Sequence, residues 1–557
     1  MIPLLLCLVS FMLLNANSSG ANAVPAPDTL FIDGDIYTQA KPARVQAMAV
    51  RDGRIVATGS TDDIRKLKGS RTQIVDLGGH FTMPGFNDAH VHLAAGGELL
   101  LEVDLIGVKS LAEMQQRIAE HTKSVPPGNW IVGRGWDHTL WPGRKLPTRQ
   151  DIDAVTGDHP ALFTRVDGHI AVANTAALNA AGMFAKIPDP AGGKIDRSPN
   201  GEATGIVRET AREMLKARVP RPSLPMRRRA IELALADAAR WGITSLQDYS
   251  DWEDFLIYED LEREGKLTAR ISEWLMFNEP LQLLDKHRAE HPADDPFLHT
   301  AMLKGFMDGS LGSRTAALLA PYSDDPGNSG LPQYDRATLN RMAVERSVAG
   351  FQLGFHAIGD RAAQMALDAF AEVERDAREN NRWRDFRFRI EHDQVIAPDQ
   401  VEQYRKLAVI ASVQPSHLLT DMNWAVERIG PERARNSYPW KTFLDHGVRL
   451  AFGTDYPVEP ISPFRGIYAA ATRKNEAGTR EYFPEQKLSV EQALTAYTNG
   501  AAYAQFAEKE KGTLAPGMLA DFVVLDRDLT RVPPEAILKT RVLRTVVSGK
   551  TVFTYSD

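Results

Sequence analysis

Between Asp28 and Phe81 apolar and polar residues alternate in short runs: "TLFIDGDIYT", "VQAMAVRDGRIVATG" and "TQIVDLGGHFT". Alternation with a period of two puts one face of each run into a core. The Asp-Gly pairs at 33–34 and 52–53 supply the turns that hairpins need. The same pattern returns at the C-terminus in "GMLADFVVLDRD" and "VLRTVVSGKTVF", with Ser-Gly at 548–549 as the turn. The pattern predicts that the two ends of the chain build one small β-sandwich.

The centre reads differently. Short apolar runs alternate with helical periods such as "DRAAQMALDAFAEVERDA" at 360–377, and the apolar runs end in polar residues. Eight such runs are "FTMPGFNDAHVH", "GITSLQD", "ARISEWLMF", "AMLKGFMDGS", "FQLGFHAIGD", "FRIEHDQV", "AVIASVQPS" and "VRLAFGTDYP". Eight βα units predict an α/β fold, a TIM (β/α)8 barrel, with chemistry at the C-terminal strand ends. Residues from about 100 to 240 are too many for one βα connection and carry their own strand patterns, so an inserted subdomain is expected there. The expected division is 24–82 and 501–557 for the sandwich and 83–500 for the barrel with its insertion.

The apolar run Pro3 to Leu14, followed by Ala21 to Ala23, has the form of a signal peptide over residues 1–23, cut before Val24. It is short for a bilayer span, so export to a periplasmic or secreted location without stable membrane insertion is expected. Cys7, the sole cysteine, lies in that segment, leaving the mature chain without disulfides or thiolate ligands. A hydrophobic share of 43%, a charged share of 25% and a net charge of −7 over 557 residues are ordinary for a globular protein and argue against nucleic acid as a partner.

Candidate chemistry falls at the strand ends. His90 and His92 are two apart on the first strand and therefore share a face. His356, His392 and Asp455 follow the fifth, sixth and eighth strands. Each alone has an ordinary structural explanation, a satisfied histidine or a capping aspartate. Together they form an N/O donor set suited to Zn²⁺ and, less selectively, Mn²⁺, Co²⁺ or Fe²⁺.

In that order "PGFNDAHVH", "HAIGD", "EHDQ" and "FGTDYPV" resemble the amidohydrolase superfamily, and most closely its amidohydrolase family 3 branch, which includes N-substituted formamide deformylases. The resemblance continues to "GTLAPGMLADFVVLD" at 512–526. It implies a metal-dependent hydrolase acting on non-peptide C–N bonds of a small amide-like molecule. It implies two divalent ions per chain, zinc first among them. His90, His92 and Asp455 would hold one and His356 and His392 the other. Lys304, in "LKGFMDGSLGSRTA", would add CO₂, become N6-carboxylysine and bridge them. An unmodified ammonium has no lone pair to offer a metal. Asp455 is the implied general base and proton donor. No GxSxG motif appears, so a serine elbow is not expected.

Further candidates are His169 in "RVDGHIAVAN", Trp136 and Trp141 in "GWDHTLW", His417 in "QPSHLL", Arg314 and Arg435 for substrate contact. For Trp136 and Trp141 core packing is the first expectation and pocket lining the second. Asp360 and Glu391 are expected to orient imidazoles. Hydrolysis of an ester or phosphotriester, a metal-dependent isomerisation, and a non-catalytic extracytoplasmic ligand-binding role all stay open on sequence. So does homo-oligomerisation.

Overall fold

The computed structural model describes residues 25–556 apart from 167, 186 and 292–294. The signal-peptide segment lies outside the described residues. Eight parallel strands form one sheet in chain order: β1 (Phe86–Val91), β2 (Ile243–Asp248), β3 (Arg270–Met276), β4 (Leu298–Phe306), β5 (Gln352–Ala357), β6 (Arg389–His392), β7 (Ile410–Val413) and β8 (Leu450–Phe452). Most of their residues are buried, because helices cover the outside and side chains fill the inside. This is why the sequence shows continuous apolar runs here and alternation only at its ends.

The barrel closes just beyond the strand ends. Val91 forms a parallel bridge with Tyr456. Asp455 N donates to His90 O, and His92 N donates to Tyr456 O, both at 2.7 Å. Gly453 allows the approach: a Cβ there would meet His90 N at 2.6 Å. The contacts that close the barrel thus bring the first histidine pair to the late aspartate.

Outside the barrel, helix α1 (Asp360–Glu379) buries Ala362, Ala363, Ala366, Phe370, Val373 and Ala377, a stripe of helical period. Phe370 stacks between Phe355 of β5 at 5.1 Å and Phe388 at 4.3 Å.

Both chain ends meet in the sandwich, as their alternation predicts. Phe81–Pro84 pairs antiparallel with Phe522–Leu525 inside a six-stranded sheet, which packs on a four-stranded sheet of N-terminal strands. Phe31, Met48 and Ile55 from one sheet meet Ile36, Phe522, Val524 and Val546 from the other. The insertion carries a six-stranded sheet running from Val103–Asp104 to Ala203–Glu209 in the chain, with cores of its own. No helix among the described residues is long and apolar enough to cross a membrane.

Candidate metal centre at the barrel rim

Five strand ends deliver the site. His90 and His92 leave β1, Lys304 sits near the end of β4, His356 near the end of β5, His392 ends β6, and Asp455 follows β8. His392 and Asp455 adopt positive φ of 83° and 57°. Non-glycine residues seldom sit there, and such strain concentrates at functional sites.

His90, His392 and Asp455 each place a donor atom within 4.8 Å of the others, and all three are buried. His92 Nε2 lies 3.2 Å from Asp455 Oδ1, and His90 Nε2 lies 3.6 Å from the same oxygen. The rings of His356 and His392 are 4.4 Å apart. Lys304 Nζ donates to His90 Nε2 at 3.1 Å and rests near the rings of Trp274 and Phe306.

Outer partners fix which nitrogen of the His90, His92 and His356 rings faces inward. His90 Nδ1 donates to Glu391 Oε2 at 2.8 Å, and Glu391 Oε1 accepts from Arg389 Nε at 2.9 Å. His92 Nδ1 donates to the Tyr249 carbonyl at 3.0 Å. His356 Nε2 donates to the Gly309 carbonyl at 2.9 Å, with Asp308 Oδ1 at 3.3 Å. With those protons outward, His92 Nε2 turns a lone pair toward Asp455, and His90 Nε2, 3.6 Å from the same carboxylate oxygen, accepts from Lys304. Asp455 Oδ1 and His392 Nδ1 are buried without a hydrogen-bond partner. Lone pairs converging on a carboxylate away from water are unfavourable until a cation sits among them, so these residues fit a divalent ion.

The titration behaviour agrees. Burial first, then the Lys304 ammonium, holds His90 down at about 4, so its imidazole is neutral at neutral pH. Burial brings Lys304 down to about 8 against the pull of Glu391 and Asp455. Burial alone would raise Glu391, but Arg389 and His90 hold it at about 2. Burial likewise opposes ionisation of Asp455, and His90, His417 and His92 outweigh it, leaving the carboxyl well below its usual range.

Other expected residues divide. Glu391 does orient an imidazole, that of His90 and not of its neighbour His392. His417 joins the cluster, with its Nε2 3.4 Å from Asp455 Oδ2. Asp360 does not touch an imidazole: its carboxylate accepts from Leu319 N and Arg361 N at the start of α1. Trp136 is fully buried in the insertion core, where its Nε1 donates to the Phe163 carbonyl at 2.8 Å. Trp141 packs beside it. His169 is exposed on the insertion and pairs with Glu209 at 3.0 Å, outside the rim cluster. The Arg314 guanidinium is held by both oxygens of Asp324, and Arg435 pairs with Glu485 on the surface.

Sequence reasoning missed Asp88 and Asp308. Asp88 Oδ1 accepts from His90 N and Thr454 N, and Oδ2 from the Thr454 hydroxyl, tying β1 to the loop that carries Asp455. Burial raises Asp88 to about 7 in spite of these bonds. Asp308 accepts from Ala317 N, Ile358 N and Gly359 N and stands beside His356. Asp88 lies within β1 and Asp308 just after β4, both inside the quoted motifs, the signal by which they were findable.

A cavity of about 380 Å³ adjoins the cluster, with His92, Tyr249, Glu273, Trp274, Met276 and Pro457 in its wall.

Comparison with known proteins follows this geometry. Residues 73–553 match the sequence pattern of the amidohydrolase family. The chain is 34% identical to Protein LONG AFTER FAR-RED 3 of Arabidopsis thaliana, over 94% of this chain and 91% of that one. It is 26% identical to an N-substituted formamide deformylase of Arthrobacter pascens, over 94% and 97%. The crystal structure of an uncharacterized metal-dependent hydrolase from Pyrococcus horikoshii superposes with a TM-score of 0.74 at 32% identity, covering 91% of this chain and 99% of that one. With a parallel barrel and converging imidazole and carboxylate donors at its rim, the chain belongs to the amidohydrolase family and is a metal-dependent hydrolase.

Proposed function

We propose that the protein hydrolyses carbon–nitrogen bonds of small amide-like molecules. The observation that carries this is the convergence of His90, His392 and Asp455, with Asp455 Oδ1 and His392 Nδ1 buried and unpartnered. The likeness to an N-substituted formamide deformylase supports the choice of bond. His90, His92, His356, His392 and Asp455 would hold divalent ions, zinc by donor chemistry, and a carboxylated Lys304 would lie between two of them. Bound ions of this kind polarise a carbonyl and make water more acidic.

The chain's own residues do the rest. Asp455, ionised and held by His417, accepts a proton from water at a carboxylate oxygen and returns it to the leaving nitrogen. Glu391 and the Tyr249 and Gly309 carbonyls keep the imidazole rings in register. Lys304, with its amine brought to about 8, has a neutral fraction at neutral pH that can add CO₂; the nitrogen–carbon bond forms as one C=O π pair of CO₂ moves to oxygen, and one N–H proton of the amine is released. The result replaces a buried cation by an anion among the imidazoles.

The test is elemental analysis of the purified protein, with a panel of N-formyl and N-acyl amines beside matched esters and phosphotriesters. Two ions per chain, amide turnover lost on chelation, and a carbamate carbon signal after exposure to ¹³C-bicarbonate are expected. Preference for the esters or phosphotriesters would overturn the C–N assignment. One ion per chain and no carbamate signal would overturn the role of Lys304. We also propose export, supported by the Pro3–Leu14 run and the Ala21–Ala23 site. Expression in a bacterial host should yield a mature chain beginning at Val24, read by N-terminal sequencing; an intact Met1 on soluble cytoplasmic protein would refute it.

A further inference from the structure

The cluster at the rim opens chiefly on one side. His392 and Asp455 are closed off, their side chains 4% and 7% exposed, whereas His356 and above all His92 reach solvent, at 13% and 27%. Between these two open rings runs a continuous aromatic arc. His92 meets Tyr249 at 5.7 Å between ring centres, Tyr249 meets Phe306 at 5.8 Å, and Phe306 meets His356 at 5.4 Å. A molecule that reaches the cluster from its open side passes this arc.

Phe306 stands out in it. It lies two residues beyond Lys304 on β4 and is paired in register with His356 of β5, so it shares the interior face of the barrel with Lys304. Lys304 is fully buried on that face, yet Phe306 is 38% exposed. Lys304 Nζ lies 5.3 Å from its ring centre on the buried side, and Tyr249 and His356 flank it, which leaves the mouth as its open direction. Met276, paired with Lys304 across β3 and β4, adds a second exposed apolar side chain, in the wall of the adjoining cavity beside Tyr249. Contiguous apolar surface held open to water at the mouth of a buried polar site marks a place that a ligand covers.

We infer that Phe306 is a specificity-determining residue, and that the preferred amides carry an uncharged apolar arm lying across it toward Met276. The inference rests on the reading of the rim cluster as an amide hydrolase. With the reacting bond among the imidazoles and Asp455, an arm that leaves on the open side passes over the phenyl ring. Release of water from both surfaces and dispersion contacts then favour an alkyl chain over a hydroxyl-bearing chain of equal length. Phe306 touches the arm and not the reacting bond, so its effect falls on discrimination between arms.

The test compares short and long arms on the metal-loaded enzyme. N-formylmethylamine is set against N-formylpentylamine for an arm on nitrogen, and N-methylpropanamide against N-methylhexanamide for an arm on the acyl carbon. In at least one pair the long amide is expected to show a kcat/KM at least about tenfold higher, carried by KM. Replacing the terminal methyl of the favoured arm by a hydroxyl should remove most of that gain. Phe306→Ala should bring the ratio near one, and Phe306→Leu should restore most of it, with elemental analysis showing the metal content of both unchanged. Should Phe306→Ala fail to fold, Met276→Ser, on the exposed part of the wall, should lower the ratio about two- to threefold. A ratio of one or less in both pairs, or a ratio that no variant moves, overturns the inference. If none of the four amides is hydrolysed, the bond assignment fails, and calorimetry decides the arm separately. N-methylhexanamide binding more tightly than N-methylpropanamide, with the difference lost in Phe306→Ala, supports the inference, and equal binding or none overturns it.

Discussion

Two buried charged clusters stand at opposite ends of the same barrel, and they are built differently. At the N-terminal end, Arg270 at the start of β3 donates to both oxygens of Asp521, at 2.6 and 3.0 Å, to the Pro296 carbonyl and to the Ser548 hydroxyl. Asp521 also accepts from Ser548 N. The Arg270 bonds join the barrel to the sandwich and to the loop before β4, and the pair is internally complete. At the rim, Glu391 and Arg389 are equally well served, but beside the His90 that Glu391 supports, Asp455 Oδ1 and His392 Nδ1 have no hydrogen-bond partner among the described residues. A complete ionic cluster fixes the fold, whereas an incomplete one among imidazoles awaits a cation.

The sharpest way to break this comparison is to change one residue in each cluster. Asp455→Asn should lower kcat on a cleaved amide by about 10³-fold while circular dichroism shows the fold retained. Arg270→Met should act in reverse. It leaves the Asp521 carboxylate buried and unpaired, costing about 3–5 kcal/mol in urea unfolding, with kcat of the folded fraction unchanged. Activity lost in the second variant without loss of stability would dissolve the distinction.

Lys511 refines the picture, because it lies buried near the Arg270 pair yet among the described residues its ammonium has only the Ser245 hydroxyl, at 2.6 Å, as hydrogen-bond partner. Burial and the Arg270 charge bring it down to about 7 from 10.5. Between those values the unfolded chain holds the proton that the folded chain has released. Stability contributed by this group therefore rises with pH across the window, by up to about 1.4 kcal/mol per unit. Urea unfolding at pH 7, 8 and 9 should show this rise, and Lys511→Met should flatten it; an unchanged slope in the variant would count against it. The smallest effect belongs to the insertion. Trp136→Phe leaves the Phe163 carbonyl without its donor and should cost about 1–3 kcal/mol, with kcat/KM unaltered. A changed KM would return Trp136 to the substrate site.

Much was legible before the fold. The period of two at both chain ends, the helical stripe of Asp360–Glu379 and the polar residues closing eight apolar runs follow from local pattern, because each depends on residues a few positions apart. The recurrence of histidine and aspartate at those run ends was enough to name the rim. Tertiary structure alone decided the pairings: Glu391 serves His90 across 301 positions, Asp308 and not Asp360 stands by His356, and His417 leans on Asp455. It also sent Trp136 into a core. Such contacts are fixed by barrel closure and by the paths of loops after each strand, which bring together residues hundreds apart; no periodicity along the chain encodes them.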